Sequence, residues 1–207
     1  DPPVESHCAR CDLGQYSLKG LASCIMCSST TFSDAPGSKA CKACPAGKFD
    51  DPTTSSDTCA NCPAHSDSEA ASVKSTDCKC MPGYTGPDGG MCEECPEGTY
   101  KDTFGSEPCV NLCPANSNSP AGSDEITDCE CNAGYEGDDG EVCTPCEAGK
   151  FTPTAGADDC TPCPPNSFSQ VGSSEVTDCT CNRGYTGALF YVKGGEICEA
   201  CEAGTYK

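Results

Sequence analysis

The chain has 207 residues, and Leu, Ile, Val and Phe together supply only 21 of them, with no Trp at all. That is about a tenth of the chain, far below the roughly 20% under which a highly charged sequence cannot bury enough apolar surface to fold around a conventional core. The balance of 32 Asp and Glu against 12 Lys and Arg gives a net charge of −20, which excludes nucleic acid as a partner, since phosphate binding needs clustered cations.

Cysteine supplies what burial cannot: 24 residues, or about 12% of the chain, exceed the roughly 8–10% that marks a disulfide scaffold. No window carries a sustained 3.6-residue apolar period, so little or no helix is expected. In chain order, Cys8 is followed by C-D-L-G-Q-Y at Cys11 and then by Cys24, Cys27 and Cys41. From Cys44, Cys95 and Cys146 a longer register repeats. It runs C-x-x-G-x-[YF], then Cys, two or three residues, C-P-x-[NH]-S, then T-D-C-x-C-x-x-G-Y-x-G, then a closing Cys. The first two copies are about 51 residues long and the third about 55, and a fixed period of this size signals an array of small modules. Cys201, followed by Glu202-Ala203-Gly204-Thr205-Tyr206, opens the register once more. Six cysteines per copy allow 15 pairings, and spacing by itself leaves them open.

The segment Thr127-Asp128-Cys129-Glu130-Cys131-Asn132-Ala133-Gly134-Tyr135-Glu136-Gly137, closed by Cys143, resembles the C-terminal half of an epidermal-growth-factor-like (EGF-like) module. It recurs at Cys78/Cys80 with Gly83, Tyr84 and Gly86, and at Cys179/Cys181 with Gly184, Tyr185 and Gly187. With C-P-E-G-T-Y at Cys95 and C-P-A-N-S at Cys113, the whole unit resembles the cysteine-rich repeat of ephrin receptors, over almost the entire chain. The resemblance implies a small disulfide-rich fold of tandem EGF-like modules with short antiparallel β-hairpins and loops, drawn out into an elongated rod. The modules read as 44–94, 95–145 and 146–200, the last with an insertion. They follow a shortened four-cysteine module over 11–43, with 1–10 ending a preceding module and 201–207 starting a further one.

The same resemblance implies pairing first to third, second to fourth and fifth to sixth. On this sequence that gives Cys44–Cys62, Cys59–Cys78 and Cys80–Cys92, then Cys95–Cys113, Cys109–Cys129 and Cys131–Cys143. The third copy becomes Cys146–Cys163, Cys160–Cys179 and Cys181–Cys198, and the shortened module Cys11–Cys27 and Cys24–Cys41. Cys8 and Cys201 are left without a partner in register. Each Gly-Tyr pair is expected at the bend of a hairpin, glycine taking a positive backbone angle.

Chemistry finds little foothold in the residues. Eight C-x-x-C pairs have zinc-ligand spacing, yet zinc does not account for the C-x-C-x-x-G-Y-x-G segments, so no metal site is assigned. The acidic turns Gly137-Asp138-Asp139-Gly140-Glu141, Pro87-Asp88-Gly89 and Asp50-Asp51 offer oxygen ligands for weak calcium binding, without the usual calcium consensus of such modules. No other cofactor is expected. The near-neutral bases are His7 and His65, both in polar segments, and His65 stands in the slot of Asn116 and Asn166, which makes it a turn residue rather than a catalyst. Together with the absence of a nucleophile elbow, this leaves no enzymatic function. No N-x-[ST] sequon occurs, whereas the Ser/Thr residues beside proline, Thr53, Thr54, Ser55, Ser56, Thr152 and Thr154, are candidates for O-linked glycans.

Disulfide density places the folded chain outside the reducing cytosol, as an extracellular or cell-surface protein, and no stretch approaches the roughly 18 apolar residues of a membrane span. Two functions remain open. The first is a structural segment of a large extracellular glycoprotein, rod-like and assembling into a filament or surface appendage through copies of itself or other modules of the same chain. The alternative is the ligand-binding ectodomain of a receptor or adhesion protein. Under either, the apolar insertion around Leu189, Phe190 and Tyr191 is the candidate contact.

Overall fold

A computed structural model describes residues 8–28, 31–51, 58–187 and 198–205. Among them there is no α-helix; 22 strands of two residues each pair antiparallel into eleven separate hairpins. Strands this short cannot sustain a sheet, and each hairpin is locked by its own disulfide. The fold class is therefore the one the cysteine content and the family resemblance point to, a small disulfide-rich array of tandem modules. The chain divides into two compact units: residues up to Glu94 together with Thr103–Pro108, and Cys95–Asp102 together with everything from Cys109 onward.

In the first unit the hairpins join Gln15–Tyr16 to Ile25–Met26, Thr31–Phe32 to Lys42–Ala43, Lys48–Phe49 to Ala60–Asn61, Ser66–Asp67 to Lys79–Cys80 and Tyr84–Thr85 to Glu93–Glu94. The second unit repeats the scheme from Thr99–Tyr100 with Asn111–Leu112 to Tyr185–Thr186 with Glu199–Ala200.

The disulfides differ from the pairing that the resemblance implies. They join Cys11–Cys24, Cys27–Cys41, Cys44–Cys59, Cys62–Cys78, Cys95–Cys109, Cys113–Cys129, Cys146–Cys160 and Cys163–Cys179. The expected bonds Cys11–Cys27, Cys24–Cys41, Cys44–Cys62, Cys59–Cys78, Cys95–Cys113, Cys109–Cys129, Cys146–Cys163 and Cys160–Cys179 are not formed. Cys80–Cys92, Cys131–Cys143 and Cys181–Cys198 are joined as expected. Every bond thus links two consecutive cysteines, so the loops follow one another and never interlock.

A turn accounts for the difference. The hairpin sets Lys48 opposite Asn61, and the Cys62 N–H donates to the Gly47 carbonyl at 2.9 Å, a register that would carry Cys62 toward Cys44 if the strand ran straight. It does not, because the Lys48 N–H closes a turn onto the Pro45 carbonyl at 3.2 Å and Gly47 has φ +75°. The turn swings Cys44 back along the hairpin to Cys59, Cα to Cα 5.8 Å, a normal disulfide span.

That turn recurs in each loop where it is described. The third residue after the opening cysteine has positive φ, from 58° at His65 to 91° at Gly204. Gly83, Gly134 and Gly184 of the Gly-Tyr pairs all occupy this slot, at the start of a hairpin. The exceptions to glycine are His65, Asn116 and Asn166; asparagine tolerates this region better than most residues.

The interior is mostly sulfur and hydroxyl, with Phe49, Phe151 and Lys101 also buried. Cys78, Cys80, Cys95, Cys129, Cys131 and Cys146 are 0% exposed, and around them lie buried Ser33, Ser68, Ser119, Thr152 and Ser169, each six residues after an opening cysteine. The same slot after Cys95 holds Lys101, 2% exposed; where it holds Ser or Thr, the hydroxyl finds a carbonyl. Ser68 donates to Lys48 O at 3.1 Å, Ser119 to Thr99 O at 3.2 Å and Ser169 to Lys150 O at 2.8 Å. In return, the N–H groups of Gly47, Gly98 and Gly149 donate to the carbonyls of Ser68, Ser119 and Ser169. In these three places a loop is bound to the one before it by a reciprocal pair of hydrogen bonds, which satisfies polar groups that burial would otherwise penalise.

Two substitutions should move stability in opposite directions. Gly134 has φ +86°, and a Cβ there would lie 2.6 Å from the backbone oxygen of Gly172, so Gly134→Ala combines a left-handed backbone with a main-chain clash and is expected to cost at least about 2 kcal/mol. Ala71 has φ +68°, and its N–H donates to Cys44 O, the role that Gly122 and Gly172 play in the other copies. Ala71→Gly relieves the strain against a smaller loss of unfolded-state order and is expected to gain about 0.5 kcal/mol. Urea midpoints of the oxidised variants measure both; equal and small effects would mean these slots carry no strain.

Candidate functional site

The T-D-C segment is spent on structure. Each forms a single 3₁₀ turn, Ser75–Asp77, Ile126–Asp128 and Val176–Asp178. The carboxylate of Asp77 accepts the Val73 and Lys74 N–H groups, Asp128 those of Asp124 and Glu125, and Asp178 those of Ser174 and Glu175, at 2.8–3.1 Å. Each aspartate closes the orphan donors at the turn's entrance, a charge-assisted arrangement.

His65 is also structural. His65 has φ +58° and lies parallel to the ring of Tyr84, centroids 4.2 Å apart and planes 8° from parallel. In the same slot the Asn116 and Asn166 amides donate to the carbonyls of Cys143 and Cys198 at 3.3 and 3.4 Å. All three side chains of this slot therefore fasten a turn to the segment that follows. His7 lies outside the described residues.

Of the candidate glycan acceptors, Thr152 is 3% exposed with its hydroxyl turned to Thr154 O at 3.5 Å. It is a packing residue of the small buried slot, and a sugar has no access to it. Thr154 is exposed. Thr53, Thr54, Ser55 and Ser56 lie outside the described residues, as do Leu189, Phe190 and Tyr191. Cys8 is a free, exposed thiol and Cys201 a free, half-buried one.

Among the described residues no three His, Cys, Asp or Glu side chains are grouped to hold a metal ion. In the acidic turn Pro87-Asp88-Gly89 the carboxylate of Asp88 is already paired with the Lys79 ammonium. The Lys42–Asp34 and Lys150–Glu147 pairs lie at the surface. Lys42 holds the Asp34 carboxyl below its ordinary range through a hydrogen bond at 3.1 Å, and Glu147 raises the Lys150 ammonium in the same way at 3.2 Å. Contacts of this kind are screened by water and salt and add little to stability.

The first unit carries one further feature that sequence reasoning missed. A surface cleft is lined by Asp67, Glu69, Asp77, Lys79 and Phe104, over a floor of Ser68 and Ser72. Comparing the chain's own copies separates scaffold from variation. Ser68, Ser72 and Asp77 recur as Ser119, Ser123 and Asp128, whereas Asp67 and Glu69 become Asn118 and Pro120, and Phe104 becomes Ala155. Phe104 is 55% exposed, held over the cleft by the Gly105 N–H on Cys80 O at 2.8 Å. The signal was available in the sequence as a departure of one copy from its siblings, but the loop that brings Phe104 back to the Cys62–Cys78 loop was not.

The comparisons with known proteins agree with this architecture. Residues 14–58, 83–129 and 134–179 match the model of the tyrosine-protein kinase ephrin type A/B receptor-like family. Cysteine repeat modular protein B of Toxoplasma gondii is 33% identical over 142 residues, covering 67% of this chain and 2% of that protein. Ephrin type-B receptor 2 of Gallus gallus is 40% identical over 80 residues, 38% of this chain and 8% of the receptor. A mouse protein with sushi, von Willebrand factor type A, EGF and pentraxin domains is 32% identical over 159 residues, 74% of this chain and 4% of its own length. The chain thus spans a small fraction of each relative. With three matched copies of one cysteine register, each built from serial disulfide-closed hairpins, the chain belongs to the ephrin type A/B receptor-like cysteine-rich repeat family.

Proposed function

We propose that the chain is a non-catalytic structural segment of a large extracellular glycoprotein, rod-like, assembling into a filament or surface appendage with copies of itself or with other modules of the same chain. The observation that carries the reading is the composition of the interior: cystines and hydrogen-bonded hydroxyls in every copy, with the T-D-C aspartates and the His65 slot consumed by turns. Such modules add length and protease resistance one loop at a time and demand nothing of a cofactor. Cystines at this density persist in oxidising compartments, which supports the extracellular placement. Thr154 remains a proposed site for an O-linked glycan.

Electron microscopy of native material carrying this chain tests the proposal. Regular filaments containing the chain are the expected result, and dispersed single particles under assembly-permitting conditions would overturn it. A second reading, a ligand-binding ectodomain, is favoured by the cleft under Phe104, where three carboxylates and an aromatic face meet, and where Asp67, Glu69 and Phe104 are replaced at the equivalent positions of the next copy while Asp77 is kept as Asp128.

A further inference from the structure

We infer that this chain cannot be drawn out past a short covalent limit while oxidised, and that reduction of its disulfides, one loop at a time, is what lets it lengthen beyond that limit under tension. The inference stands on connectivity and holds whichever function the chain serves. A pull on the two ends follows the shortest covalent path. Because each bond joins consecutive cysteines, that path crosses all eleven disulfides in turn and uses only the short links between them. Those links are C-x-C, as at Cys78 to Cys80, C-x-x-C, as at Cys59 to Cys62, or the C-x-x-x-C of Cys109 to Cys113. Everything between two bonded cysteines hangs beside the load and bears none of it.

The magnitudes make the effect large. Each disulfide contributes 5.4–5.9 Å of Cα–Cα span, and with about 3.5 Å per residue in the links the stretched path from Cys11 to Cys198 is about 160 Å. The same stretch without disulfides reaches about 650 Å. Loops separated by 12 to 17 residues each store about 35–55 Å. The arrangement also explains why loop length is free to vary: the Cys181–Cys198 loop is five residues longer than the Cys131–Cys143 loop, yet both contribute one disulfide span to the loaded path.

Release is a thiol–disulfide exchange with a dithiol reductant. One dithiol thiolate attacks a cystine sulfur, forming a mixed disulfide and expelling the other cysteine as thiolate. The second dithiol thiolate then displaces the first cysteine. The cystine takes up two electrons and, on protonation, two protons, and the dithiol leaves as its cyclic disulfide. The chain gains one loop and loses no other constraint, because no second bond encloses that loop.

The test is force-clamp stretching of the full chain tethered at both ends, with Cys8→Ser and Cys201→Ser to remove free thiols. Without reductant, the segment is expected to stop at its roughly 160 Å limit. With dithiothreitol it should lengthen in discrete steps of about 35–55 Å, up to eleven of them. Adding Cys131→Ala and Cys143→Ala should release about 36 Å without reductant and remove one reductive step. Contour length is the readout, so these results do not depend on the variant loop staying folded. Lengthening well beyond the limit in the oxidised chain, or an unchanged contour in the double-alanine variant, would overturn the inference.

Discussion

Complete reduction and alkylation is expected to abolish the folded state, with loss of the native circular dichroism and of protease resistance along the whole chain. Each loop closure of 12 to 17 residues restricts the unfolded chain by about 3 kcal/mol in the entropy model. A domain's net stability is only about 5–15 kcal/mol, so the loss of a few closures exhausts it. Nothing else can take over: strands of two residues, serine-lined interiors and an apolar content of about a tenth leave no core to hold the backbone once the sulfurs part. Because the loops do not interlock, the loss should proceed in stages set by access to sulfur. Cys24 is exposed, so Cys11–Cys24 should open first; Cys131 and Cys143 are 0% and 2% exposed, so that bond should be among the last. Pulsed alkylation with mass mapping follows the order. A reduced, alkylated chain that kept its spectrum and its resistance to protease would refute this account of what holds the fold.

The second large effect is all or none. Leu112 is 74% exposed in the link between Cys109 and Cys113, and no disulfide spans it, since Cys95 is bonded to Cys109 and Cys113 to Cys129. Chymotryptic cleavage after Leu112 under non-reducing conditions should therefore separate residues 1–112 from 113–207. In the interlocked pairing that the family resemblance implies, Cys95–Cys113 and Cys109–Cys129 would both bridge the cut, and the halves would remain joined until reduced. A Leu112→Gly variant carrying no site in the link provides the control. Fragments that separate only after reduction would mean that the consecutive pairing is wrong, and with it the load path drawn from it.

Much of the site was legible in the residues. His65 shares its slot with Asn116 and Asn166, an alignment that marks a turn, and all three have positive φ. The Gly-Tyr pairs announced hairpins in the same way. The pairing was not legible, because Cys59 and Cys62 are three residues apart and either is within reach of Cys44 in a flexible chain. Burial of Thr152 was equally hidden: Thr152-Pro153-Thr154 reads as an exposed polar run, yet Thr152 shares its slot, six residues after an opening cysteine, with buried Ser33, Ser68, Ser119 and Ser169. The cleft needed a contact between loops that are distant in sequence, the return of Phe104 over Asp67 and Asp77.

Composition and spacing alone dictate that this chain has a covalent rather than an apolar interior, that its period is modular, and that glycine or asparagine stands third after most opening cysteines. These are consequences of composition and local backbone sterics, which act within a few residues. Which cysteines meet, which hydroxyls are buried and where the cleft lies are set by the folded chain. Those depend on where a turn at positions such as Pro45–Lys48 aims the chain, and a spacing of cysteines fixes the reach of a loop but not its direction.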